Sequence, residues 1–153
     1  MPTITPFLWF DDQAEQAATS YVSLFPDSRV DSVARTPDGT ALVVEFTLLG
    51  QPYRAMNGGP GHPHTDAVSF QVDVDTQEEL DRIWDALLAD GGRPLACGWL
   101  HDRWGLTWQV TPSMMGDLMT GGGDPEANAR VFRAMQDMVK LDIPALQAAA
   151  AGG

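Results

Sequence analysis

The feature that most constrains this chain is a repeated order of elements on either side of one glycine-rich stretch. Leu80, Ile83, Trp84, Leu87 and Leu88 form an apolar helical stripe, and Ala14, Ala17, Ala18, Tyr21 and Val22 form the same stripe 66 residues earlier. Each stripe is preceded by a strand candidate, Thr3–Phe10 in the first half and Ala67–Val74 in the second. Each is followed by three more: Arg29–Arg35, Ala41–Leu49 and Pro52–Asn57, then Arg93–Cys97, Trp99–His101 and Leu106–Thr111. Two amphipathic helices share spacing easily, but the full order twice over points to internal duplication.

Local signals set the boundaries. Asp11 and Asp12 with Glu15 resemble an N-terminal cap for the first helix, and Thr76-Gln77-Glu78-Glu79 has the form of a capping box for the second. Thr36-Pro37-Asp38-Gly39 and Asp102-Arg103-Trp104-Gly105 read as turns. The chain is therefore expected to be one α+β domain: module one over 1–57, a linker over 58–65, module two over 66–112, and a helical tail over 113–153. In that tail, Ser113–Thr120, a helix starting at Asp124-Pro125, and Pro144–Ala151 are helical candidates, expected to cover the sheet or a partner subunit.

Composition narrows the function classes. The net charge is −12, with nine Lys and Arg that form no cluster, so a nucleic-acid backbone would be repelled. No apolar run reaches the length of a membrane span, and Met-Pro-Thr-Ile-Thr-Pro lacks the character of a signal peptide. The single cysteine, Cys97, cannot form an internal disulfide, so a cytoplasmic location is expected.

Several segments carry a specific resemblance. Thr5-Pro6-Phe7-Leu8-Trp9-Phe10, Met56-Asn57-Gly58-Gly59-Pro60 and the run from Cys97-Gly98-Trp99-Leu100 to Gly105-Leu106-Thr107-Trp108-Gln109-Val110 resemble the PhnB-like branch of the vicinal-oxygen-chelate superfamily. That branch is often labelled 3-demethylubiquinone-9 3-methyltransferase-like. The resemblance implies tandem βαβββ modules in a half-open eight-stranded barrel of the glyoxalase type, with a C-terminal helical extension, and a homodimer.

Strand alternation gives an independent view of the concave face. Val68, Phe70 and Val72 should pack on the helix, leaving Ala67, Ser69 and Gln71 facing inward. Likewise Leu106, Trp108 and Val110 face outward, Thr107 and Gln109 inward, and Leu8 and Phe10 oppose Thr5, Phe7 and Trp9. The positions at which the superfamily holds its divalent metal fall, by the resemblance, on Thr5, Asn57, Ala67 and Gln109. Only Gln109 is a plausible ligand there, so the usual metal site is expected to be lost and no cofactor is predicted. A divalent metal held by Gln109 with His62 or His64 is the alternative.

The expected ligand-binding residues are Trp9, Asn57, Ser69, Gln71, Trp99 and Gln109, and no catalytic residue is assigned. His62-Pro63-His64 reads as a solvent-facing part of the linker. Cys97 and His101 could pair as thiolate and base, but four strand residues span about 13 Å, which favours a buried, inert Cys97. The literal methyltransferase reading is the weakest, because Asp11-Asp12-Gln13 lacks the glycine-rich turn of a doubly wound methyl-donor site. The leading expectation is a protein that binds a small, partly aromatic or apolar molecule. The rivals are a metal-dependent lyase, isomerase or dioxygenase and, last, a methyltransferase.

Overall fold

The computed structural model describes residues 1–153 and divides them into two compact units, Met1–His64 and Thr65–Gly153. The first unit runs β1 (Phe7–Phe10), α1 (Ala14–Val22), β2 (Arg29–Arg35), β3 (Ala41–Leu48) and β4 (Gln51–Asn57). The second begins β5 (Ser69–Val74), α2 (Gln77–Leu88), β6 (Arg93–Pro94), β7 (Trp99–His101) and β8 (Thr107–Pro112). Their sheets have the same order, β1-β4-β3-β2 and β5-β8-β7-β6. In each, the first strand pairs in parallel with the fourth and the other pairings are antiparallel. The tandem βαβββ reading thus holds strand by strand.

β1 starts at Phe7 rather than Thr3, because Pro2 and Pro6 offer no N–H to an edge ladder; only the Pro6 carbonyl joins it, accepting from Arg54 N at 2.9 Å. Leu8, Phe10, Val44, Phe46 and Ala55 form the buried face and meet Ala14, Ala17, Ala18 and Tyr21 of α1. Tyr21 approaches Phe46, which stacks on Tyr53 with ring centroids 5.4 Å apart.

In the second unit the volumes are reversed. α2 supplies the large groups Leu80, Ile83, Trp84 and Leu87, all buried, against Val72, Val74, Leu100, Trp108 and Val110. Burying a side chain such as Leu80 or Ile83 stabilises by about 2 kcal/mol. Phe70 meets Trp108 edge-on at 5.3 Å. Val68, expected on the helix side, lies before β5 and is 63% exposed.

β6 is two residues rather than five. After Leu95, whose N–H still donates to the Trp99 carbonyl at 2.9 Å, the backbone leaves the ladder, with Cys97 and Gly98 both at positive φ (61° and 82°). Their N–H groups donate instead to the carbonyls of Met138 and Val139, both at 2.8 Å. A side chain at Gly98 would also strike Leu141 and the Val110 carbonyl at about 3 Å, so glycine is required by both conformation and space.

The tail opens with a 3₁₀ turn, Ser113–Met115, followed by α3 (Gly116–Thr120), α4 (Pro125–Gln136) and α5 (Ile143–Ala151). Asp124 and Asp142 cap α4 and α5 through their carboxylates, each with proline in the first turn. Gln77 ties α5 to α2, donating to the Leu141 carbonyl (3.1 Å) and accepting from Ile143 N (2.7 Å). Leu141, Ile143 and Leu146 are buried, whereas Phe132 of α4 is half exposed. No helix is long and apolar enough to cross a membrane.

Candidate functional site

The face of the second sheet turned away from α2 collects four of the six expected residues. Gln71 of β5 pairs with Gln109 of β8, which pairs with Trp99 of β7, and directly paired residues share a face. Ser69 lies one step along, in the row Ser69–Thr107–His101. Gln109 donates through Nε2 to Ser69 Oγ at 2.8 Å, and Gln71 donates to Asp73 at 3.0 Å. Each amide has two N–H groups and a carbonyl oxygen, so one N–H of each goes to these bonds and an N–H and the oxygen are left for a ligand. Trp99 is half-buried and presents a flat apolar surface beside them.

The same face carries a group that the sequence analysis did not assign. Asp66 Oδ1 lies 2.6 Å from His101 Nε2 and accepts from Thr107 Oγ1 at 2.8 Å. His101 Nδ1 lies 3.1 Å from a guanidinium nitrogen of Arg93. The hydrogen bonds from His101 and Thr107 hold the Asp66 carboxyl below its ordinary range. Both ring nitrogens of His101 are therefore engaged away from Cys97, and a Cys97–His101 pair is not formed. Period-two alternation puts Thr107 on the side of Gln109, whereas His101 enters the sequence reading only as a possible partner of Cys97. Asp66, 35 residues from His101, left no local signal.

The other two expected residues lie in the first unit. Asn57 pairs with Phe10 and so belongs to the α1 side of its sheet. Its Oδ1 accepts from Ala14 N at 2.8 Å and its Nδ2 donates to the Ala41 carbonyl at 3.0 Å, which makes it the cap of α1. Gln13, at the N-cap position, makes no side-chain bond, and Asp11 and Asp12 are exposed, so the cap expected there comes instead from 43 residues away.

Trp9 is on the opposite face and is enclosed by its own loop. Its Nε1 donates to the Gly59 carbonyl at 2.9 Å and its ring meets His62 with centroids 4.4 Å apart. A Cβ at Gly58 would come within 2.2 Å of that ring, so only glycine allows the approach. His64 in turn meets Phe10 edge-on at 5.2 Å. The segment expected to face solvent is thus folded back on β1, although the His62 residue stays exposed.

A cleft of about 590 Å³ lies beside α1 in the first unit, lined by Asp12, Glu15, Thr19, Arg35, Thr40 and Asn57 among others. Arg35 donates to both oxygens of Glu15, at 3.0 and 2.6 Å, and this partner raises its pKa. Arg35 and Glu15 are thus matched to each other, and Asn57 is committed to α1.

The positions implied for the superfamily's metal do not fit one. The Asn57 amide is used twice within the fold, Ala67 has no donor atom, the Thr5 hydroxyl is neutral, and Gln109, whose Nε2 donates to Ser69, offers one neutral amide oxygen. No three His, Cys, Asp or Glu side chains come together as a ligand set.

Comparison with known proteins agrees with this architecture. The family described as 3-demethylubiquinone-9 3-methyltransferase matches residues 2–111. The PhnB protein of Bacillus cereus is 33% identical, with a TM-score of 0.68 over 73% of this chain and 100% of that one. A protein from Pseudomonas aeruginosa is 20% identical (TM-score 0.57, 73% and 98% covered), and the fosfomycin resistance protein FosX of Mesorhizobium loti 10% identical (0.57, 78% and 97%). No curated protein matches the sequence. With two βαβββ units, a family match over most of the chain and a full-length relative at 33% identity, the chain belongs to the PhnB-like, 3-demethylubiquinone-9 3-methyltransferase-like family.

Proposed function

We propose that this protein binds a small, partly aromatic or apolar molecule on the polar face of its second sheet. Trp99 supplies the flat apolar contact, and Gln71, Gln109 and Ser69 orient the ligand by hydrogen bonds. The observation that carries this reading is the register row Gln71–Gln109–Trp99, two amides and an indole side by side on one face. Small-molecule sites commonly combine apolar surface with a few placed polar groups in this way.

The test is a fluorescence titration with small aromatic amides and alcohols, repeated in Trp99→Phe and Gln109→Leu. Binding that quenches Trp99 and weakens about tenfold in Gln109→Leu is expected, the loss of one ligand hydrogen bond. Equal affinity in both variants, or no probe bound in the millimolar range, would refute the reading. A stoichiometric metal that is lost in Gln109→Ala would replace it with the metal-dependent alternative.

The methyltransferase in the family's description has no structural counterpart in a doubly wound sheet, since each sheet here has a single parallel pair. Calorimetry with S-adenosylmethionine is expected to give no heat of binding. The family resemblance also leads us to propose a homodimer, which light scattering checks by the mass of two 16.6-kDa chains against one.

A further inference from the structure

His101 has a defined protonation pattern. A guanidinium can only donate, so the 3.1 Å contact from Arg93 makes Nδ1 the acceptor. The ring proton then sits on Nε2 and is given to Asp66 Oδ1 at 2.6 Å. In that tautomer the ring carries a single proton, and the Asp66 carboxyl is lowered first by the His101 hydrogen bond and then by that of Thr107. Arg93 and Asp66 cancel, and the cluster as it stands carries no net charge.

Adding a proton to Nδ1 changes this balance. The imidazolium no longer accepts from Arg93, and two cationic donors face each other about 3 Å apart. The cluster then carries one positive charge, matched by one monoanion. A carboxylate has two oxygens, one for each donor, and charge-assisted bonds of this kind are the strong ones. A dianion would leave a charge uncompensated.

Asp73, which accepts from Gln71, stands on the same face two rows away, and the groups in contact with the ring are those of the cluster. Asp66 faces the ring from the segment before β5, Arg93 from β6 and Thr107 from β8. α2 packs on the other face through Leu80, Ile83, Trp84 and Leu87, and Asp102 points to that face too, where it accepts from Trp108. His101 lies two residues from Trp99 on the same side of β7, roughly 7 Å along the strand.

We infer that Arg93 and protonated His101 form a binding site for a monocarboxylate, which enters together with one proton. The ligand of this face is then an aryl carboxylate, its ring on Trp99 and its carboxylate between Arg93 and His101. The aryl part rests on the function proposed above; the carboxylate site does not. Asp66 is the positioning residue, keeping Nε2 as donor so that Nδ1 takes the incoming proton. No covalent bond to the ligand is made.

Calorimetry on the full chain with acetate, phenylacetate and phenylacetamide, at pH 6 and pH 8, separates the two parts. Acetate is expected to bind at least about tenfold more tightly at pH 6, and to take up close to one proton at pH 8 in buffers of different ionisation heat. His101→Gln should abolish the pH dependence. Arg93→Gln should lose most of the binding, and Arg93→Lys should retain part of it. Melting curves confirm that each variant is folded, and Arg93 is exposed enough to replace safely. Phenylacetate should exceed acetate about tenfold, with the gain lost in Trp99→Leu.

Acetate affinity that ignores pH, or survives both His101→Gln and Arg93→Gln, overturns the carboxylate site. If phenylacetamide binds and quenches Trp99 while neither carboxylate shows pH linkage, the proposed function stands and this inference falls. If acetate is pH-linked but phenylacetate gains nothing, the carboxylate site stands and the aryl reading falls.

Discussion

The two units share one strand order and spend it differently. In the first, α1 is built of alanines and the sheet supplies Phe10 and Phe46; in the second, α2 supplies Leu80, Ile83 and Trp84 and the sheet is mostly valine. The faces away from the helices differ more. On the first sheet, Glu45 accepts from Arg54 (2.9 Å) and Ser32 (3.1 Å), and Thr47 donates to Asp31 (2.7 Å), so its polar groups answer one another. On the second sheet the corresponding face carries neutral amides, an indole and the Asp66–His101–Arg93 group. A duplicated scaffold thus lets the polar groups of one copy answer one another while the other leaves amide groups open on the same face.

Turns and caps offer ways to break that comparison. The largest effect is expected at Asp102, 4% exposed, whose carboxylate accepts from Trp104 N, Leu106 N and Trp108 Nε1 at 2.9 to 3.0 Å. It pins the β7–β8 turn, a device the first unit lacks at β3–β4. Asp102→Ala should cost about 3 kcal/mol in a denaturant titration, because buried donors lose their acceptor. A loss under 1 kcal/mol would mean the turn does not depend on it.

Caps come next. Asn57→Ala removes one bond to the helix and one to Ala41, and should cost about 2 kcal/mol. Thr76→Ala removes only the Glu79 N bond (3.2 Å) and should cost about 1 kcal/mol. If thermal melts rank them the other way, α1 is not held by its distant cap.

The smallest effect runs in the opposite direction. β3 and β4 turn through Leu49 and Gly50, both at positive φ (49° and 79°), and Leu49 is half exposed. Asparagine tolerates that conformation better, so Leu49→Asn should raise stability by about 0.5 kcal/mol, readable as a small upward shift in Tm. A downward shift would show that Leu49 is held by contact rather than tolerated.

How far these features were legible depends on their reach along the chain. The α2 capping box is a four-residue signal and appears as written, with Thr76 accepting from Glu79 N. The helix stripes and the doubled strand order survive because periodicity is local and repeated. The α1 cap leaves no local signal because its source, Asn57, is 43 residues away. β6 is shorter than its sequence suggests, because nothing in Arg93–Cys97 announces that residues 97 and 98 hydrogen-bond to the tail. On the second sheet, alternation alone brings Ser69, Gln71 and Gln109 to one side, and Trp99 joins them through its register with Gln109. Asp66 escaped because a lone carboxylate beside a strand carries no pattern.

The bonds from Cys97 and Gly98 to Met138 and Val139 have a further consequence. They run between backbones, so at residues 138 and 139 the tail is fastened without reference to its side chains, while Leu141, Ile143 and Leu146 anchor it by burial. The family match ends at residue 111, before that tail begins. Yet the tail covers N–H groups beside the shortest edge strand of the second sheet, the kind of row that recruits other chains when bare. What looks like an appendix is, in colloidal terms, a sheath: shortening this protein to its matched core is expected to cost it solubility before it costs it fold.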